Sequence, residues 1–143
     1  MAHVWISLPQ DDEGYPPFTE EQLHTREVDT DLHEVLSVPV FAKGIAVGDT
    51  LATRTVGDEL WATHVESEGD RWCVRIVPLG GYDEERIVEV FDSMGAAAAR
   101  TPYGVVTVDV GPEVDAQHLM AELDSGLDEG DWDYDVGVTP NAG

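Results

Sequence analysis

Apolar and polar residues alternate in short runs along the first half of the chain, which is the pattern of β-strands with one buried face. The first run, Val4–Leu8, stops at Pro9, and Gly14, Pro16 and Pro17 indicate a loop after it. Residues 19–23 fit either a short helix or the start of a strand. Three clearer strands follow, separated by glycine-containing turns: residues 50–56, 59–66 and 71–78.

After Gly81 the period of the apolar positions changes from two to nearly four. Ile87, Val90, Phe91 and Met94 predict a helix that ends at Gly95. A second helix, opened by Pro112 or Asp115, carries an apolar stripe of leucines and a methionine. Three further strands are predicted around these helices: residues 96–100, 104–110 and 132–138.

This order of elements predicts an α+β fold with two lobes. Residues 1–70 form an N-terminal antiparallel β-meander or small barrel-like sheet. Residues 71–138 run β-α-β-β-α-β, which is the ferredoxin-like pattern. We expect the two lobes to share one core and residues 139–143 to form a flexible tail.

The net charge of the chain limits the kinds of molecule that it can bind. The sequence has 30 Asp and Glu and only seven Lys and Arg, which gives a formal net charge of −23. Because proteins bind nucleic acids and anionic membranes through basic side chains, we expect neither as a direct partner. No apolar run is long enough for a transmembrane helix. We also expect no secretory signal, because no Lys or Arg precedes the short apolar stretch at the start. The single cysteine, Cys73, is expected to be buried. These features favour a cytoplasmic protein.

Two strongly acidic segments are candidates for binding a basic protein. One is the loop after the first strand and the other surrounds the last strand, and no Lys or Arg follows Arg100. The candidate partner-binding residues are Asp11, Asp12, Glu13, Asp128, Glu129, Asp131, Asp133 and Asp135. The alternative is that the acidity serves solubility or a salty cytoplasm.

The residue types that carry catalysis or bind metals are scattered. The sequence has no HExxH, P-loop, GxGxxG or GxSxG motif, and the acidic tail lacks the Gly and Glu of an EF-hand loop. We therefore expect no bound metal and no cofactor. If a ligand cleft exists, the candidate side chains are His24, His33 and Lys43, which is the sole lysine.

Three segments resemble a known family of small bacterial proteins. They are VWISLPQDDEGYPPFTEE from Val4, SVPVFAKGIAVGD from Ser37 and VTVDVGP from Val106. On these segments the chain is similar to the family named domain of unknown function 4265. The resemblance implies one compact α+β unit and assigns no catalytic residue.

These observations favour a non-enzymatic interaction module that binds a basic protein surface, such as an inhibitor or immunity-like protein. The alternative is an enzyme or small-ligand binder that uses a cleft between the two lobes. A structural or assembly subunit is a third possibility.

Overall fold

The computed structural model describes residues 2–138 and divides the chain into two compact units, between Gly69 and Asp70. The predicted tail, residues 139–143, lies outside the described residues. The expectation that the two lobes share one core stays a prediction. Each unit has its own hydrophobic cluster, described below.

Unit 1 is a closed barrel of five strands that follow one another in chain order. Neighbouring strands are antiparallel, and the barrel closes through a parallel pairing of the first and fifth strands at Trp5 and Trp61. The meander and the barrel-like sheet are therefore confirmed, and residues 20–23 belong to a strand. The strands are β1 (Ala2–Ser7), β2 (Glu20–Asp29), β3 (Leu32–Val35), β4 (Thr50–Val56) and β5 (Glu59–Ser67).

The interior of the barrel is filled by alternate residues of these strands and by the connection between β3 and β4. Its buried apolar cluster is Leu8, Leu23, Val35, Ala42, Ile45 and Leu51. Polar side chains also enter the interior, because Thr25 and His33 are almost fully buried. The His33 Nδ1 and Thr25 Oγ1 atoms are 2.9 Å apart, so the two groups satisfy each other.

Unit 2 has the β-α-β-β-α-β order that the sequence predicts, with a four-stranded sheet ordered β7-β8-β6-β9. All neighbouring strands are antiparallel. The ferredoxin-like half is therefore confirmed, including the alanine-rich strand at the sheet edge. The elements are β6 (Trp72–Pro78), α1 (Glu84–Ser93), β7 (Ala97–Arg100), β8 (Val106–Val110), α2 (Ala116–Asp128) and β9 (Trp132–Val138).

Both helices of unit 2 begin at an aspartate that caps free backbone N–H groups. Asp83 accepts a hydrogen bond from the Glu85 N–H, and Asp115 accepts one from the His118 N–H. Asp115 rather than Pro112 therefore opens α2. Helix α1 is followed by Gly95 at φ 91°, a left-handed conformation that glycine adopts without strain.

The core of unit 2 lies between the two helices and one face of the sheet. Alternate residues of β6 and β8, such as Val74 and Val108, are fully buried there. They pack against Phe91 of α1 and Leu123 of α2. The apolar residues that alternate along the strands and those that recur along the helices therefore form one hydrophobic cluster. Among residues 2–138, no helix has the length and apolar composition needed to cross a membrane.

Candidate functional site

The acidic residues 128–135 lie on a well-anchored connection from α2 into β9. Gly130, at φ 76°, reverses the chain, and the Asp131 N–H donates a 2.9 Å hydrogen bond to the Gly126 carbonyl. The buried Trp132 donates its indole N–H to the Leu123 carbonyl at 3.1 Å. Its ring packs on Gly126, where a Cβ would overlap the indole. The acids are thus presented by a fixed turn.

The five acids of this segment do not have the same surroundings. Asp128, Glu129 and Asp133 are exposed, and Asp131 is half-buried. Asp135 forms a 2.8 Å ion pair with Arg75, whose side chain is only 7% exposed. Because a buried guanidinium needs a compensating charge, Asp135 has a structural role.

A tyrosine next to the acidic segment is held in its neutral form. Tyr134 donates its hydroxyl to Asp124 Oδ1 at 2.5 Å. This hydrogen bond, together with partial burial and the nearby carboxylates, raises the pKa of Tyr134 to about 12. The carboxylate of Asp124 therefore accepts its hydrogen bond from a neutral phenol.

The first acidic loop also contains one acid that serves the local structure. Asp11 Oδ1 accepts hydrogen bonds from the backbone N–H groups of Glu13 and Tyr15, both at 2.9 Å. Such a turn fixes the direction of the loop. Asp11, Asp12 and Glu13 are all exposed, and of the three it is Asp12 and Glu13 whose carboxylates are not used in this turn.

Most of the basic side chains are engaged within the chain. Arg26, Arg71, Arg75 and Arg100 each form an ion pair with an acid of the same unit. Hydrogen bonds to Asp109 raise the pKa of Arg71, and bonds to Glu85 and Glu84 raise that of Arg100. The surface acids are therefore far from neutralised by local cations.

The three candidate ligand residues occupy three different settings in unit 1. His33 is 1% exposed and lies inside the barrel with Thr25. His24 lies on the outer face, where its ring meets that of His3 edge-on at 4.9 Å between centroids. Lys43 lies at the surface between two cavities. The predicted cleft between the lobes stays a prediction.

The two cavities around Lys43 are adjacent and share three lining residues, and together we call them the Lys43 groove. The first cavity, of about 380 Å³, has an apolar wall that includes Leu8, Phe41 and Ala42. The second, of about 330 Å³, is lined among others by Ile45, Leu51, Ala62, His64 and Val65. Ile6, Ser7 and Lys43 border both cavities. Both volumes lie in the range of small-molecule sites, about 300–1,000 Å³.

The segment that carries Lys43 is held in place by two carboxylates. Glu21 of β2 accepts hydrogen bonds from the backbone N–H groups of Val40, Phe41 and Ala42, at 2.6, 3.0 and 2.9 Å. The buried Asp49 accepts from Ala46 and Gly69 at 2.9 and 2.8 Å. Hydrogen bonds to charged acceptors are the stronger kind, so the groove is largely preformed.

Sequence reasoning missed Glu21 and Asp49 as the residues that shape this site. Glu21 looks like any other acid of an acidic stretch, and its hydrogen-bond partners lie about twenty residues away. Asp49 carried a weak signal, because it follows a glycine between two apolar runs. Cys73 is buried, as expected. Within residues 2–138, no group of three or more His, Cys, Asp or Glu side chains is arranged to hold a metal ion.

Comparisons with known proteins identify a family and a solved structure of similar fold. No curated protein matches the sequence. The fold is similar to that of a solved structure described as a hypothetical protein from Neisseria gonorrhoeae, with a TM-score of 0.81. The match covers 99% of each chain at 15% sequence identity, so it shows the fold alone. The family model described as domain of unknown function (DUF4265) matches residues 21–134. The chain therefore belongs to the DUF4265 family.

Proposed function

We propose that the protein is a non-enzymatic interaction module that binds a basic protein surface, as an inhibitor or immunity protein does. The observation that carries the proposal is a cluster of acids on the anchored connection between α2 and β9. We call this cluster the acidic turn and define it as Asp128, Glu129, Asp131 and Asp133.

The surroundings of the acidic turn support this proposal. No lysine or arginine follows Arg100 in the sequence, and Arg75 is already paired with Asp135. Like charges held close together repel one another, which costs stability unless a counter-charge arrives. A basic partner supplies that counter-charge, and the fixed backbone around Trp132 lowers the entropy lost on binding.

The acidic loop of unit 1 is a second contact region in this proposal. Asp12 and Glu13 are exposed beside Tyr15, whose side chain is 57% exposed. An aromatic ring next to charges is a common composition at protein interfaces. We expect this loop to contribute less than the acidic turn, because Asp11 is engaged by backbone N–H groups.

The test is capture of the partner from a lysate of the native host with three forms of the protein. The first is the wild type. The second has the acidic turn neutralised by Asp128→Asn, Glu129→Gln, Asp131→Asn and Asp133→Asn. The third is a control with the same change in net charge, made at exposed acids of unit 1: Glu20→Gln, Asp58→Asn, Glu59→Gln and Glu68→Gln.

We expect the wild type and the control to retain one stoichiometric basic protein at about 50 mM salt and the acidic-turn variant to lose it. At about 300 mM salt the complex weakens, because exposed charges are then screened within several ångströms. Equal retention by all three forms would remove the acidic turn from the function. If the wild type retains no partner protein at either salt concentration, the proposal as a whole is contradicted.

A further inference from the structure

We propose that the Lys43 groove binds a small apolar molecule that carries a single carboxylate. This site belongs to unit 1 and is independent of the acidic turn. The proposal rests on the shape of the groove, on the apolar side chains that line it, and on the one cation placed where its two cavities meet.

The apolar part of the ligand has a matching surface in the first cavity. Phe41 is contacted by Phe18, with ring centroids 5.4 Å apart, and by Tyr15, at 6.4 Å. Tyr15, which lines this cavity, is nevertheless 57% exposed, so aromatic surface faces solvent at the groove. Burying the apolar area of a ligand against such a ring is favourable because it removes both surfaces from water.

The charged part of the ligand has one partner. Lys43 is the only lysine of the chain, and it forms no salt bridge in the part of the chain that the structure describes. Two other polar side chains at the groove, His64 and Asp11, are engaged within the chain. His64 Nε2 is 2.8 Å from Glu66 and its Nδ1 is 3.1 Å from Thr63, and Asp11 accepts two backbone N–H groups.

The charge around the groove selects a monoanion over a polyanion. Asp11 and Glu66 lie near its two ends, and the chain as a whole carries −23. A phosphate ester with two negative charges meets this field with only Lys43 to offset it. A carboxylate with an apolar body carries one charge and gains from burial of the rest. We therefore assign the groove to apolar carboxylic acids.

The groove is available to a ligand without rearrangement of its frame. Glu21 fixes the backbone of Val40, Phe41 and Ala42, and Asp49 fixes the turn that follows. A preformed site loses less entropy when it binds a small molecule.

The test is a nuclear magnetic resonance titration of the full chain with 4-phenylbutyrate and, separately, with its uncharged amide, 4-phenylbutanamide. We expect saturable shifts at the backbone amides of Ile6, Lys43, Gly44 and His64, and about fivefold weaker binding of the amide, as for loss of one exposed charge pair. Lys43→Met should remove this difference between acid and amide. Arg86→Met, which removes an exposed charge from unit 2, should leave it unchanged.

A second variant tests the position of the site independently of charge. Ser7 is exposed and borders both cavities, so Ser7→Phe should block the groove and weaken both probes. The proposal is overturned if the wild type shows no saturable shift at the groove, or if acid and amide bind equally. Shifts at the groove that follow protein concentration without any probe would instead identify its occupant as a second copy of the chain.

Discussion

At the scale of single residues, some acids of this protein hold the structure, even where they are exposed, and others only face solvent. Glu21, Asp49 and Asp11 accept backbone N–H groups, and Asp135 neutralises a buried arginine. Sequence alone does not separate these from their neighbours, because an acid's role depends on which N–H groups the fold brings to it. The composition predicts that acidic side chains dominate the surface. It does not predict which of them form hydrogen bonds or ion pairs within the structure.

Tyr134 provides a residue-scale prediction. Because its pKa is raised to about 12 from the ordinary 10.0, its hydrogen bond to Asp124 stabilises the fold fully below pH 10. This contribution is lost as the pH rises from 10 to about 12. We expect a titration of the Tyr134 ring resonances to give the raised pKa in the wild type and a lower one in Asp124→Asn, where only burial and the charges of Asp128 and Asp133 still raise it.

Asp128→Asn is the control for this titration. Asp128 acts on Tyr134 only through its charge, so its removal should lower the pKa of Tyr134 less than the loss of the hydrogen bond does. Equal shifts in the two variants would show that charge alone, without the hydrogen bond to Asp124, sets the titration of Tyr134.

At the scale of elements, the carboxylate of Glu21 joins strand β2 to the segment 40–42 that borders the groove. We expect Glu21→Gln to speed hydrogen exchange at the amides of Val40, Phe41 and Ala42 by at least about tenfold, since an amide accepts these bonds more weakly than a carboxylate. Exchange measured residue by residue checks this. Glu20→Gln, at an exposed neighbour, should leave the rates unchanged, and unchanged rates in Glu21→Gln would contradict the role of Glu21.

Most of the elements could be predicted from periodicity, and the exceptions have a physical reason. The strands of unit 2 and both helices follow their apolar pattern, and even Ala97–Arg100 is a strand because β8 offers it a partner. β3 has only four residues, which is too short for a clear alternation of apolar and polar positions. The sequence therefore did not predict that His33 is buried inside the barrel. The Lys43 groove joins β1, β5 and a loop, and no local pattern encodes such a meeting.

At the scale of the whole molecule, the net charge of −23 sets up repulsion between surface acids that salt can screen. Raising NaCl from about 20 mM to about 500 mM shortens the screening distance from roughly 20 Å to roughly 4 Å. We expect the midpoint of thermal unfolding to rise by about 4–8 °C, the shift that 1 kcal/mol produces in a small domain. Circular dichroism melts over a salt series measure this.

The variant with the neutralised acidic turn serves as the control for this measurement. It has four fewer negative charges, and its midpoint should be higher at low salt and should rise less as salt is added. A midpoint that is the same at both salt concentrations in the wild type would show that the surface acids do not repel one another enough to affect folding.

The position of Lys43 also decides how the protein behaves in the laboratory. It is the only lysine of the chain, so a dye, a biotin ester or a surface that couples to a lysine side chain is attached at the border of the groove. A protein immobilised in this way has the groove obstructed while the acidic turn, in the other unit, carries no label. The choice of coupling chemistry therefore separates the two proposed sites, since a lysine-linked sample reports on binding at the acidic turn and only an unlabelled one reports on small molecules.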